Sequence, residues 1–224
     1  MKTREQNLES GNQTVKPVTE KKTAPLLILI SAPSGGGKTT LCELLLAACP
    51  HMTRAVTCTT REPRPSEQDG VDYYFLEAGN FLKRLQAGNF LENATVYGNS
   101  YGLLKSELLG KLREGKDVLL NVDVQGAATI REKALEDPEL SRSLVTVFLT
   151  PSSVEELEER LKRRGADDAA VIKKRLGVAR QEVAQWKNFN YLLISTSKQE
   201  DLRRMLAIVE TEKMRVARSQ APEF

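Results

Sequence analysis

Apolar residues along this chain fall into short runs, with stripes of helical period between them. Leu26 to Ile30, Val118 to Val122, Leu144 to Leu149 and Tyr191 to Ile194 are the runs. Each is too short for a helix and reads as a strand buried on both faces. After the first, Leu41, Leu44, Leu45 and Ala48 recur at helical spacing. Further helices are expected over 104–114, ended by Gly115, and over 126–135. Pro151-Ser152 opens a charged helix over 153–164. A longer helix then carries Ile172, Leu176, Ala179, Val183 and Trp186 on one face, and a last one covers 199–216. Strands alternating with helices predict an α/β fold built on a parallel sheet covered on both faces.

The alternation is interrupted once. Arg54 to Thr57 is a short strand candidate, followed by Thr59-Thr60-Arg61-Glu62-Pro63-Arg64-Pro65 and Asp69-Gly70, which enforce an irregular loop. Residues 71–76 read as a strand and 78–87 as a short amphipathic helix on Phe81, Leu82 and Leu85. Residues 89–97 read as a strand before a turn at Gly98-Asn99-Ser100-Tyr101-Gly102. Residues 57–103 are therefore expected to form a small β-rich lobe inserted in the main pattern. Residues 1–23 are polar, without the apolar stretch of a secretory signal, and are expected to be a disordered tail.

Composition narrows the class without deciding it. The chain has 224 residues, 40% hydrophobic and 28% charged, with a formal net charge of +3 mixed in sign along most segments. Nothing in that balance calls for a nucleic acid or a membrane surface as partner. No stretch approaches the roughly 20 apolar residues of a membrane span. Cys42, Cys49 and Cys58 form no C-x-x-C pair, and His51 is the only histidine. That set does not suit a zinc site and reads as reduced thiols of a cytoplasmic protein.

The chemistry starts at the end of the first strand. Ala32-Pro33-Ser34-Gly35-Gly36-Gly37-Lys38-Thr39-Thr40 joins that strand to a helix, the context a phosphate-binding loop requires. Backbone N–H groups of Ser34, Gly35, Gly36 and Gly37 would crowd round a nucleoside triphosphate, beside the positive end of the helix dipole. Lys38 can reach the β- and γ-phosphates, and the Thr39 hydroxyl can ligate magnesium.

Other candidates carry two readings each. Arg61, Arg64 and Tyr73 suit a phosphate monoester, with guanidinium forks and a hydroxyl donor, or else form a solvated basic loop. Glu92, in a strand of apolar and small residues, could accept from guanine N1–H and N2–H, or could simply sit at a sheet edge. Asp123 falls beyond a strand's carboxyl end, where ligand crevices of parallel sheets lie, but also suits a helix N-cap. Asn121 precedes it by two residues. On the charged helix, Glu156–Arg160 and Glu159–Arg163 pairs account for most of the charge. Arg164 and Arg175 fall outside this i,i+4 pattern of the sequence and could reach a γ-phosphoryl group.

Together these pieces resemble a guanylate kinase over about residues 25–218. S-A-P-S-G-G-G-K-T-T, T-T-R-E-P-R-P, D-Y-Y-F, F-L-E, Y-G-N-S-Y-G, D-V-Q-G and R-R-G come in that family's order and spacing. The resemblance implies the P-loop nucleoside monophosphate kinase fold, a parallel sheet core with an inserted GMP-binding lobe and a helical lid. The core would be 24–56, 104–151 and 170–218, the lobe 57–103 and the lid 152–169, with 219–224 as a C-terminal tail. It implies transfer of the ATP γ-phosphate to GMP with magnesium. Ser34 to Thr40 would bind ATP. Arg61, Arg64, Tyr73 and Tyr101 would hold the GMP phosphate, Glu92 would read guanine, and Thr57, Asn121 and Asp123 would stand close by. Lys38, Arg164 and Arg175 would act on the transferred group. The chain departs from the family at Leu103, where a Ser or Thr donates to guanine. It departs again at Asn121, the first acid of D-x-D, and at Ser195-Thr196, an Asn-Asp pair near the ATP base. A kinase of another phosphorylated acceptor and a non-catalytic interaction module are the rival readings.

Overall fold

The computed structural model describes residues 23–96, 98–163 and 169–219. β1 (Leu27–Ser31) runs through the glycine-rich turn into α1 (Lys38–Ala48) and then β2 (Met52–Arg54). A second group follows: β3 (Cys58–Thr59), β4 (Tyr74–Phe75), α2 (Ala78–Gln86), β5 (Phe90–Val96) and β6 (Asn99–Leu104). The first pattern resumes with α3 (Lys105–Arg113), β7 (Asp117–Asn121), α4 (Val124–Glu136), α5 (Pro138–Ser143) and β8 (Leu144–Thr150). α6 (Val154–Arg163), α7 (Ala169–Val183), β9 (Tyr191–Ile194) and α8 (Lys198–Met214) complete it.

β2, β7, β1, β8 and β9 lie side by side in that order, all parallel. β1 is central, with Leu27 opposite Val118 on one side and Leu144 on the other. Its residues alternate between two cores. Leu26, Ile28 and Ile30 pack with Leu41, Leu45, Met205 and Val209 on α1 and α8. Leu27 and Leu29 pack with Leu108, Leu112, Ile130 and Leu140 on the opposite face. Each fully buried leucine contributes about 1.5–3 kcal/mol, which explains why every position of β1 is apolar or small. The chain is tied off beneath β1: Arg218 pairs with Glu212 and donates to the Arg142 and Leu144 carbonyls, while its own carbonyl accepts from Ala24 N–H.

The second sheet has the order β4-β3-β6-β5, with β3 and β5 antiparallel to β6. Its own small core holds Cys58, Phe81 and Phe90, the two rings stacked 4.5 Å apart.

The parallel sheet is as expected, and the differences are local. The strand expected over 54–57 is two strands: β2 ends in the main sheet at Arg54 and β3 begins in the other at Cys58, so 55–57 only crosses between them. The 71–76 strand shrinks to Tyr74–Phe75, because Asp72 and Val71 turn back to bond the Gln68 carbonyl. The turn expected over 98–102 is mostly strand, since β6 starts at Asn99 and pairs with β5 along its length. α5 was not foreseen; six residues show no period, although Asp137 caps it and Pro138 sits in its first turn. Trp186 leaves α7 and lies on a 3₁₀ turn, Ala184–Asn188. Residues 1–22 and 220–224, most of both expected tails, lie outside the described residues.

Candidate active site

The loop between β1 and α1 closes on itself through Gly36 N–H, which donates to Pro33 O at 2.9 Å. Gly35 and Gly37 take φ of 88° and 94°, the left-handed region glycine enters freely. Gly35 is needed for space as well, because a Cβ there would lie 2.8 Å from Leu161 Cδ2 on α6. The first turn of α1 has no side-chain cap, so its N–H groups face the concavity of the loop. Lys38 opens that helix and its Nζ donates to Val122 O at 3.0 Å, tying the loop to the end of β7. Burial lowers the Lys38 pKa, while the Asp123 and Glu182 carboxylates pull it back up. Ser34 and Thr39 are exposed; Thr40 is half-buried.

β7 brings the second group to the same edge. Asn121 is its last residue and is exposed, and Asp123 caps α4, its Oδ1 accepting from Gly126 N–H at 2.8 Å. β7 ends at Asn121, so Asp123 lies beyond the strand and not on it. Glu92 comes from β5: a Cβ placed on Gly126 would lie 3.5 Å from Asp123 Oδ1 and 3.6 Å from Glu92 Oε2. Gly126 therefore lets the two carboxylates approach over the start of α4. Burial first, and Asp123 second, push the Glu92 carboxyl up to about 6, against the pull of Lys133. Glu92 does sit on an edge strand, β5, but it is half-buried there against the start of α4. Leu103 lies directly across the ladder from Glu92, which puts both side chains on one face of the sheet, and it is 2% exposed. Its apolar bulk accounts for part of that desolvation. Asp123 links the halves, since its charge acts on both Lys38 and Glu92.

The structure gathers three of the four expected phosphate-binding side chains. The Arg61 guanidinium stands 5.5 Å from the Tyr73 ring centre, and Tyr73 meets Tyr101 edge-on at 6.1 Å. Arg64 lies exposed on the same loop. Thr57 sits half-buried just before β3, and its carbonyl accepts from Tyr74 N–H. Arg175 is part-buried on α7, and Arg164 falls outside the described residues.

Three residues were missed from sequence. Glu67 accepts from Arg61 Nη2 through both oxygens, at 2.8 and 2.9 Å, and from Arg64 N–H, while Arg61 Nη1 donates to the Glu62 carbonyl, so the guanidinium is already engaged. Glu182 lies beside the loop: the Ser34 amide favours its carboxylate, burial raises its pKa, and its Oε2 is buried without a hydrogen-bond partner among the described residues. The available signal was its spacing of seven from Arg175, which puts both on one face of α7. Arg160, assigned to the charged helix face, does pair with Glu156 at 2.6 Å but also reaches Ser195 Oγ at 3.0 Å. It belongs to the site's border and not to a purely solvated surface.

Comparison with known proteins agrees with this geometry. The family model for guanylate kinase matches residues 24–212. A guanylate kinase of Coxiella burnetii is 42% identical over 188 residues, covering 84% of this chain and 88% of that protein. One of Thermotoga maritima is 36% identical over 194 residues, covering 87% and 90%. The crystal structure of guanylate kinase from Anaplasma phagocytophilum superposes with a TM-score of 0.66 at 28% identity, covering 89% of this chain and 92% of that one. With a family model and relatives matching nearly the whole described chain, this chain belongs to the guanylate kinase family.

Proposed function

We infer that the protein is an ATP:GMP phosphotransferase, moving the ATP γ-phosphoryl group to GMP and releasing ADP and GDP. The observation that carries this reading is the junction of β7 and α4, where Lys38 Nζ bonds the Val122 carbonyl and the Asp123 and Glu92 carboxylates meet over Gly126. One crevice at the carboxyl ends of the strands thus presents a triphosphate cradle and an acceptor for paired N–H donors. Guanine offers such a pair at N1 and N2; adenine has a lone pair at N1 and is disfavoured there.

In this reading Ser34, Gly35, Gly36, Gly37, Lys38, Thr39 and Thr40 hold the ATP phosphates. Arg61, Arg64, Tyr73 and Tyr101 take the GMP phosphate, which displaces the Glu67 carboxylate from Arg61. Glu92 reads the base, with Thr57, Asn121 and Asp123 beside it. The acceptor is already an oxyanion and needs no strong base, so positioning and charge neutralisation supply the rate. Lys38, Arg164 and Arg175 are assigned to the charge on the transferred group. The exposed Thr39 hydroxyl, an oxygen donor at the mouth of the loop, fits magnesium, which prefers oxygen ligands and retains waters. Bound there with the nucleotide, the ion would neutralise phosphate charge. Residues 57–103 form the GMP lobe and 152–169 the lid in this reading. The three free cysteines support a cytoplasmic setting.

ADP release with GMP, dGMP, AMP and ribose phosphates as acceptors tests the reading. GMP and dGMP are expected to support turnover. Preference for AMP or a sugar phosphate would replace it with another kinase, and no turnover with any acceptor would leave a binding module.

A further inference from the structure

A pocket of about 320 Å³ opens beside the phosphate loop, on the side away from Glu92. Gly37, Thr40 and Leu44 form one wall, and Arg160, Ser195 and Thr196 form the other. A triphosphate seated in the loop has its acceptor on the Glu92 side, so this pocket is where the donor's base goes. The volume is ample for a purine or a pyrimidine.

The polar groups of this pocket are largely committed to one another. Ser195 Oγ donates to Asp201 Oδ2 at 2.6 Å and accepts from Arg160 Nη2 at 3.0 Å. Asp201 Oδ1 accepts from Thr196 N–H at 3.0 Å, and the Asp201 N–H donates to Ser197 O at 2.8 Å. Ser197 Oγ accepts from Glu200 N–H as the cap of α8. Arg160 Nη2 is held at its other contact by Glu156 Oε1. Asp201 thus holds one donor at each oxygen and is only 7% exposed, so its carboxylate braces the loop after β9. What remains to meet a base edge are the hydroxyls of Thr40, Thr196 and Ser197, which rotate to serve as donor or acceptor, and the Arg163 and Lys198 cations, donors that every base can meet with a ring nitrogen or carbonyl oxygen. The Arg160 guanidinium offers a stacking plane, and stacking is indifferent to which base supplies the ring. An amide or a carboxylate aimed at the base would set a donor–acceptor pattern; Ser195 and Thr196 set none.

We propose that the donor site does not discriminate among nucleobases, so that GTP, CTP and UTP phosphorylate GMP alongside ATP. This rests on the phosphotransferase reading above. In each case the bond from the β,γ-bridging oxygen to the γ-phosphorus breaks, a GMP phosphate oxygen forms the new bond to that phosphorus, and the nucleoside diphosphate leaves with the bridging oxygen. No other reactant is consumed.

The test measures γ-³²P transfer to GMP from labelled ATP, GTP, CTP and UTP, with the full chain and magnesium. The four values of kcat/KM are expected to fall within about tenfold of one another. ATP favoured by more than a hundredfold would overturn the inference and leave the kinase reading standing; no transfer from any donor would instead remove that reading. Thr196→Asn, which sets an amide at the rim, is expected to change the ATP-to-CTP ratio at least fivefold. A ratio that it does not move would overturn the placement of the donor base in this pocket.

Discussion

Glu92→Gln is the substitution that separates guanine recognition from mere burial. The glutamine keeps the shape and one acceptor, but its amide group then faces a guanine donor with a donor. Losing one bond to a charged acceptor costs about 1.5–3 kcal/mol, roughly 10- to 150-fold in kcat/KM for GMP. AMP loses nothing comparable, so the GMP-to-AMP ratio is expected to fall at least tenfold. The wild-type protein is also expected to show KM for GMP rising as pH falls through about 6, where the Glu92 carboxyl protonates. The variant has no such dependence. Stability moves the other way. Because the folded pKa is raised, the stability from this group is fully present below about 4.5 and is lost as pH rises through about 6. That rise is worth about 2 kcal/mol, so above pH 7 the ligand-free variant is expected to melt about 4–8 °C higher than wild type. Steady-state kinetics with both nucleotides from pH 5 to 8, with melting curves at the same pH values, measures all three effects. A GMP-to-AMP ratio within threefold of wild type would refute the role given to Glu92.

Leu103→Thr places a hydroxyl across the ladder from Glu92; KM for GMP should fall, and its pH midpoint should move down as desolvation eases. Arg175→Ala should lower kcat by about 10³ or more with little change in KM for GMP; a pure KM effect would reassign it to ground-state binding. Glu182→Ala removes a charge that raises the Lys38 pKa and favours the conformation around the Ser34 amide, so KM for ATP is expected to rise roughly fivefold. An unaltered KM for ATP would show that Glu182 has no part in holding the loop.

The sheet was legible because four of its five strands, β1, β7, β8 and β9, are mostly apolar, and β1 is buried at every position; β2, with only Met52 buried, was not. The phosphate loop was legible because its residues are contiguous and its glycines have one physical purpose. What escaped were contacts between distant segments. Nothing in the sequence tied Glu67 to Arg61 before the fold set the two together, and Arg160 looked like one half of a local pair until Ser195, after β9, came to it. Of the two readings of Asp123 from sequence, the N-cap of α4 is the one seen, and its charge acts on Lys38 and Glu92 besides. The departure at Leu103 was visible in the chain, but its position beside a half-buried carboxylate came only from the β5–β6 register. Short elements such as α5 and β4 leave no period in which to be read.

The central claim is a phosphoryl transfer between two bound nucleotides, and following the label from γ-³²P-ATP tests it most directly. With GMP and magnesium the label is expected in the β-phosphate of GDP, with one ADP formed for each GDP, and Lys38→Ala should slow that transfer by about 10²–10³. Label appearing in inorganic phosphate and not in GDP, or transfer by Lys38→Ala at the wild-type rate, would contradict the account.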